Sequence, residues 1–136
     1  MTSKEAAIKG VPLFAQCSKN EIELIAKLAD EIDLPAGKTL MREGETGREF
    51  FIILDGTVEV TRGDEVLATL GPGGFCGEIA LVDQVPRTAT VTATSAIDVL
   101  VLTGQGFSSL RSRLPNMDRA VLDEITERAR ADAGRS

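Results

Sequence analysis

The pattern of apolar and polar positions changes period twice along the chain. Helix formers run from Lys4 to Lys9, and Gly10 and Pro12 then interrupt them. Ser18 to Glu21 reads as a capping box, with Ser18 as N-cap and Glu21 reaching back to it. The helix that follows sets Ile22, Ile25, Ala26 and Ala29 on one face at i, i+3, i+4 and i+7, ready to pack. From Ile32 to Leu102 the elements become short strands punctuated by turns. Pro35-Ala36-Gly37 and Glu43-Gly44-Glu45 are turns, and Glu49 to Leu54 is a dense apolar strand. Asp55-Gly56 is a hairpin signal, after which Thr57 to Thr61 alternates with Val58 and Val60 on one face. Arg62-Gly63-Asp64-Glu65 is a second tight turn before a strand over Val66 to Leu70. Gly71-Pro72-Gly73-Gly74 then breaks regular structure. Glu78 to Val82 has room for little more than one helical turn, and strands resume over Thr88 to Ala93 and Ile97 to Leu102.

After Gly104 the helical period returns. Phe107, Leu110 and Leu114 recur at helical spacing, and Pro115-Asn116 marks a break. Met117 to Ala133 forms a last helix with Val121, Leu122, Ile125 and Ala129 expected on one face. The expected outline is one domain, residues 1–136: N-terminal helices over 1–31, about eight strands with a helical insert over 32–102, and two C-terminal helices over 103–136. Short strands joined by turns at near-regular spacing suggest a small barrel or sandwich. The sequence shows no linker, low-complexity segment or internal repeat.

A chain of 136 residues has the size of one domain and can bury a core without metal or disulfide staples. The net charge of −6 opposes direct binding to nucleic acid or to an anionic membrane. Histidine is absent, which removes the commonest metal ligand and general base and makes a metal-dependent cupin a poor candidate. Cys17 and Cys76 form neither a metal motif nor a disulfide framework. No apolar run reaches the roughly 18–20 residues of a membrane span, and the N-terminus lacks the features of a signal peptide. The expectation is a soluble, cytoplasmic protein.

Residues 75–93, FCGEIALVDQVPRTATVTA, carry the candidate chemistry. Gly73, Gly74 and Gly77 open backbone conformations closed to other residues. Gly77 starts a short helix whose free N–H groups favour an anion. Arg87 offers a planar fork that holds phosphate by two parallel hydrogen bonds. The small residues Thr88 and Ala89 let a ligand approach the backbone. Glu78 is an acceptor-only carboxylate suited to sugar hydroxyls. Together these groups suit a ligand with a phosphate and a ribose. A glycine-rich turn with a surface Arg–Glu pair fits the same residues. Neither the Walker-type nor the dinucleotide-type glycine motif occurs.

The segment resembles the phosphate-binding cassette of cyclic-nucleotide-binding domains, roughly F-G-E-I/L-A-L, a short variable stretch, then P-R-x-A-T/S-V. The likeness runs through Gly77, Glu78, Ile79, Ala80 and Leu81, then Pro86, Arg87, Ala89, Thr90 and Val91. It extends to Pro12-Leu13-Phe14, Gly44, the stretch from Phe51 to Gly56 and the Val58/Val60 strand. The resemblance implies an eight-stranded β-roll, a double-stranded β-helix jelly roll, with N-terminal helices, a short phosphate-binding helix in a cassette over 74–91, and two C-terminal helices. It implies that Arg87 and the Ala89 backbone N–H hold a cyclic phosphate. Glu78 then takes the ribose 2′-hydroxyl, helped by backbone groups at Gly77 and Ala80. Val60, Leu70 and Ile79 are the expected wall around base and sugar. The ligand is cAMP or cGMP, and no other cofactor is expected.

Cys76 stands where the family has an aromatic or aliphatic residue. It reads either as a small buried hydrophobe or as a redox-sensitive thiol near a helix N-terminus. Thr88 bears on ligand choice: a hydroxyl residue after the arginine goes with cGMP in eukaryotic members, whereas bacterial-type members also use cAMP with it. cAMP is the expected ligand. The last helix has no aromatic to cover the base, and Leu122, Ile125 and Arg128 are considered there without assigning a lid. The implied role is non-enzymatic: a sensor whose C-terminal helices relay occupancy to a downstream partner or fused effector. The alternatives are a ligand-free interaction scaffold, or a regulatory fragment of a larger transcription factor, channel or enzyme. A transcription factor of the catabolite-activator type would need a helix-turn-helix beyond Ser136.

Overall fold

The computed structural model describes residues 2–133. Helix α1 (Ser3–Lys9) begins with a capping box in which Thr2 and Glu5 exchange side-chain and backbone bonds. A 3₁₀ turn at Pro12–Phe14 leads to α2 (Lys19–Leu28). Ser18 and Glu21 cap α2 reciprocally, at 2.7 and 3.2 Å, as the sequence predicts. Ile22, Ile25 and Ala29 are buried, and Ala26 is half-buried.

Eight strands follow: β1 (Asp30–Leu34), β2 (Thr39–Met41), β3 (Glu49–Asp55), β4 (Val58–Arg62), β5 (Glu65–Leu70), β6 (Phe75–Cys76), β7 (Thr90–Ala93) and β8 (Ile97–Thr103). Helix α3 (Glu78–Asp83) interrupts them, and α4 (Gly104–Arg113) and α5 (Pro115–Ala133) close the fold. The strands form two four-stranded antiparallel sheets, in the orders β1-β8-β3-β6 and β2-β7-β4-β5. The expected mainly-β architecture of eight strands with flanking helices is the one observed.

The middle of the first sheet is covered on both faces, which is why β3 and β8 read as unbroken apolar runs rather than alternations, while the edge strand β1 is largely exposed. Phe50, Ile52, Leu100 and Leu102 pack against the helices through Phe14, Ile22, Phe107, Leu110 and Val121. The intervening residues Phe51, Ile53, Val99 and Val101 face the second sheet and meet Val58, Val91 and Ala93. The Phe50 and Phe107 rings stack at 4.5 Å, which ties α4 to the roll.

Four expectations need correction. Asp55-Gly56 does not join a hairpin: β3 pairs with β6 and β8, while β4 pairs with β5 and β7. The chain crosses there between sheets, with Gly56 at φ +82° and no room for a Cβ, which would lie 2.8 Å from Ile97 Cγ2. The true hairpin is β4–β5, where Gly63 alone of the two loop residues has positive φ. The roll begins at Asp30 rather than Ile32, because β1 pairs with β8 from Asp30↔Val101 onward. The strand expected from Thr88 begins at Thr90. The backbone before it is taken up elsewhere: the Gly44 N–H donates to the Arg87 carbonyl and the Arg87 N–H donates to Glu45, both at 2.8 Å. In α5, which starts two residues early with Pro115 at its first turn, Leu122 and Ala129 are exposed. The inward ridge is instead Met117, Val121, Glu124, Ile125, Arg128 and Asp132, apolar at one end and charged at the other.

Candidate functional site

The charged end of that ridge closes a cavity of about 250 Å³ between the second sheet, α3 and α5. This lies just under the roughly 300–1,000 Å³ of small-molecule sites. All nine residues expected at the site line it: Gly77, Glu78, Ile79, Ala80, Arg87, Thr88, Ala89, Val60 and Leu70.

Gly77 caps α3 at φ +100°. A Cβ there would lie 2.6 Å from the Glu49 carbonyl oxygen and 2.9 Å from Arg87 Nη1, so only glycine lets the backbone turn against the arginine. Arg87 is 6 % exposed. Its Nη1 donates to the Gly77 carbonyl at 3.2 Å and its Nη2 to the Glu49 carbonyl at 2.8 Å. Among the described residues no carboxylate forms an ion pair with it. Burial holds its pKa below the ordinary arginine value. A guanidinium carries five N–H donors, so the two carbonyls leave donors unmatched, and Glu49 attracts the charge without pairing with it. Gly47 makes this posture reachable, since a Cβ on it would overlap the guanidinium.

Glu78 is fully buried. Its Oε1 accepts from Arg128 Nη1, and its Oε2 has no partner. An orphaned carboxylate oxygen inside a cavity is an acceptor awaiting a donor such as a hydroxyl. Between these two groups the lining is mostly apolar, with Met41, Leu67, Ala68 and Val91 extending the wall of Val60, Leu70 and Ile79. The arrangement places a buried guanidinium, an unpartnered carboxylate oxygen and an apolar wall around one small cavity. Residues 31–113, more than half of the chain, match the family model for the cyclic nucleotide-binding domain. The chain belongs to this family.

Over 122 residues, 89 % of its length, it is 36 % identical to a cyclic nucleotide-gated potassium channel from Rhizobium etli. Over 101 residues, 69 % of its length, it is 40 % identical to a cAMP-dependent protein kinase regulatory subunit from Mycosarcoma maydis. It spans 34 % of the channel and 19 % of the kinase subunit. Among solved structures, the regulatory domain of Toxoplasma gondii PKA with cAMP superposes with a TM-score of 0.69 at 29 % identity. That match covers 79 % of this chain and 42 % of the other.

Several lining residues of this cyclic nucleotide-binding domain escape the sequence pattern. From α5, Arg128 donates to Glu78 and to the Phe75 carbonyl at 2.8 Å, and pairs with Glu124 at 3.0 Å. Its guanidinium carbon lies 5.9 Å from the centre of the Phe75 ring. Arg62, at the end of β4, donates from Nε to the Thr88 carbonyl at 2.9 Å and holds Asp132 by two bonds of 3.1 and 3.2 Å. The spacing Glu124, Arg128, Asp132 is a charged i, i+4, i+8 row in line with buried Val121, a legible sign that one stretch of the inward face is polar. Gly47 leaves no such sign. Of the residues considered for a lid, Arg128 lines the cavity; Ile125 packs on the helical core and Leu122 faces out.

Cys76 is buried, and burial pushes its pKa up to about 11. Its place in the apolar cluster with Phe51, Val91 and Val101 fits the small-hydrophobe reading. Cys17 is half-buried, with its pKa also raised by burial. No helix among the described residues is long and apolar enough to cross a membrane.

Proposed function

We propose that this domain binds a cyclic nucleotide reversibly, cAMP in preference to cGMP, does no chemistry on it, and relays occupancy through α4 and α5. The observation that carries the proposal is the buried guanidinium of Arg87, which has only carbonyls for partners, in one cavity with the unpartnered Oε2 of Glu78. A cyclic phosphate supplies the missing anion to Arg87, joined by the Ala89 N–H. The ribose 2′-hydroxyl supplies the missing donor to Glu78, with backbone groups of Gly77 and Ala80 alongside. Ile79, Val60 and Leu70 cover the sugar and base, and Thr88 meets a phosphate oxygen or the base edge.

Relatives named for cAMP favour that ligand. Arg128 supports the relay: it ties α5 to Glu78 through Oε1, while the sugar takes the free Oε2 of the same carboxylate, so ligand and helix position are linked through one side chain. The regulated partner is a fused or separate effector such as a channel or a protein kinase, in keeping with relatives named as a gated channel and a kinase regulatory subunit. The expected place of action is the cytoplasm, where free thiols such as Cys17 and Cys76 persist.

Isothermal titration with cAMP and, separately, cGMP tests the reading, with Arg87→Ala as control. Binding that vanishes in the variant supports it, and the affinity ratio reports what Thr88 selects. Absence of binding by either nucleotide overturns it and leaves the interaction scaffold.

A further inference from the structure

We infer that Arg62 is a positioning residue that couples the loop after Arg87 to the last turns of α5. The inference rests on the binding reading of the cavity. Arg62 ends β4 at the cavity mouth and spends three donors on two elements distant in sequence. Its Nε–H goes to the carbonyl of Thr88, the residue between Arg87 and Ala89, at 2.9 Å. Its two Nη groups go to the two carboxylate oxygens of Asp132, at 3.1 and 3.2 Å.

A guanidinium is one rigid plane. If an anion seated on Arg87 draws the loop inward, the Thr88 carbonyl moves and the plane must turn to follow it. A turned plane no longer meets both oxygens of Asp132. Arg62 therefore senses the phosphate end of the site, whereas Arg128, held by Glu78, senses the sugar end. The pair is also breakable: the Arg62 and Asp132 side chains are 35 % and 41 % exposed, and exposed ion pairs are weak. The neighbouring acid Glu43 is engaged by the Gly63 N–H at 3.0 Å, and Asp132 takes both Nη groups of the fork.

The test is hydrogen–deuterium exchange of the whole chain with and without cAMP, alongside titration. The parent should show a cAMP-dependent change at residues 87–90 and at 126–133. Arg62→Ala loses a weak rim pair and the hydrogen bond to the Thr88 carbonyl, so its cAMP affinity should fall by about tenfold and remain measurable. It should keep the change at 87–90 and show a smaller one at 126–133, the remainder carried by Arg128. The exchanged pair Arg62→Asp with Asp132→Arg restores the ion pair but has no donor for Thr88. It should recover the ligand-free protection of 126–133 without recovering the part of the cAMP response that Arg62→Ala loses. A full response at 126–133 in Arg62→Ala, or a recovered response in the exchanged pair, overturns the inference. So does a parent that binds cAMP with no change at 126–133. A parent that binds no nucleotide fails the binding reading itself, a result that titration separates from the others.

Discussion

Two arginines reach the same cavity from opposite sides and stand in opposite electrostatic states. Arg87 comes from the roll, is nearly inaccessible, and has carbonyl dipoles but no carboxylate. Arg128 comes from α5 and is matched by Glu78 and Glu124. A buried charge without a counter-charge is costly, and the fold tolerates it where a ligand can supply the missing ion. A matched charge instead fastens one element to another. On the proposed reading, the roll holds the means of binding and the helix the means of responding.

The largest expected effect falls on the unmatched side. Arg87→Ala should lower cAMP affinity by two or more decades, from roughly 3–5 kcal/mol for a buried charge pair broken on one side. Arg87→Lys should recover only part, because a point charge lacks the fork. Gly47→Ala should mimic these losses although residue 47 offers the ligand no side chain, since its Cβ would occupy the volume of the guanidinium. Titration of this variant, with circular dichroism to confirm folding, checks the point; unaltered affinity would show that Arg87 has another productive posture.

Glu78→Ala comes next, at roughly 1.5–3 kcal/mol of binding energy, the range for a hydrogen bond to a charged group. Because Glu78 also anchors Arg128, proteolysis or exchange should show α5 loosened in the ligand-free state. Arg128→Ala should cost less affinity than either and chiefly lower the melting temperature, as it strands the buried carboxylate of Glu78.

The smallest effect sharpens the contrast between matched and unmatched charge with a third case. Asp98 of β8 lies opposite Asp33 of β1 and Asp55 of β3, with Glu31 nearby. Burial first, then Glu31 as bonded neighbour and the surrounding acids, raise its pKa to about 7. A carboxyl whose folded pKa exceeds its unfolded value binds more protons when folded. Its stabilising contribution is complete below about pH 4 and is lost as the pH climbs through about 7. Melting temperatures should therefore fall across that window by more than in Asp98→Asn, and parallel curves for the two proteins would refute the assignment.

The sequence by itself determined the chemistry at the roll's end of the site. Gly77, Glu78, Arg87 and Ala89 lie within one short segment, where spacing along the chain is close to spacing in space. Local rules also sufficed for the capping box at Ser18 and the β4–β5 turn, since both are made by neighbours in sequence. The register of α5 needed the tertiary structure. Val121, Leu122, Ile125 and Ala129 make an apolar stripe on a helical wheel, yet the helix turns Glu124, Arg128 and Asp132 inward, because Glu78, the Phe75 carbonyl and Arg62 wait there for charged partners. The crossing at Gly56 and the clearance at Gly47 were decided in the same way, by atoms of Ile97 and Arg87 from distant parts of the chain. A side chain's own pattern states what it can bond; which groups lie within its reach is set only when the sheets and helices pack.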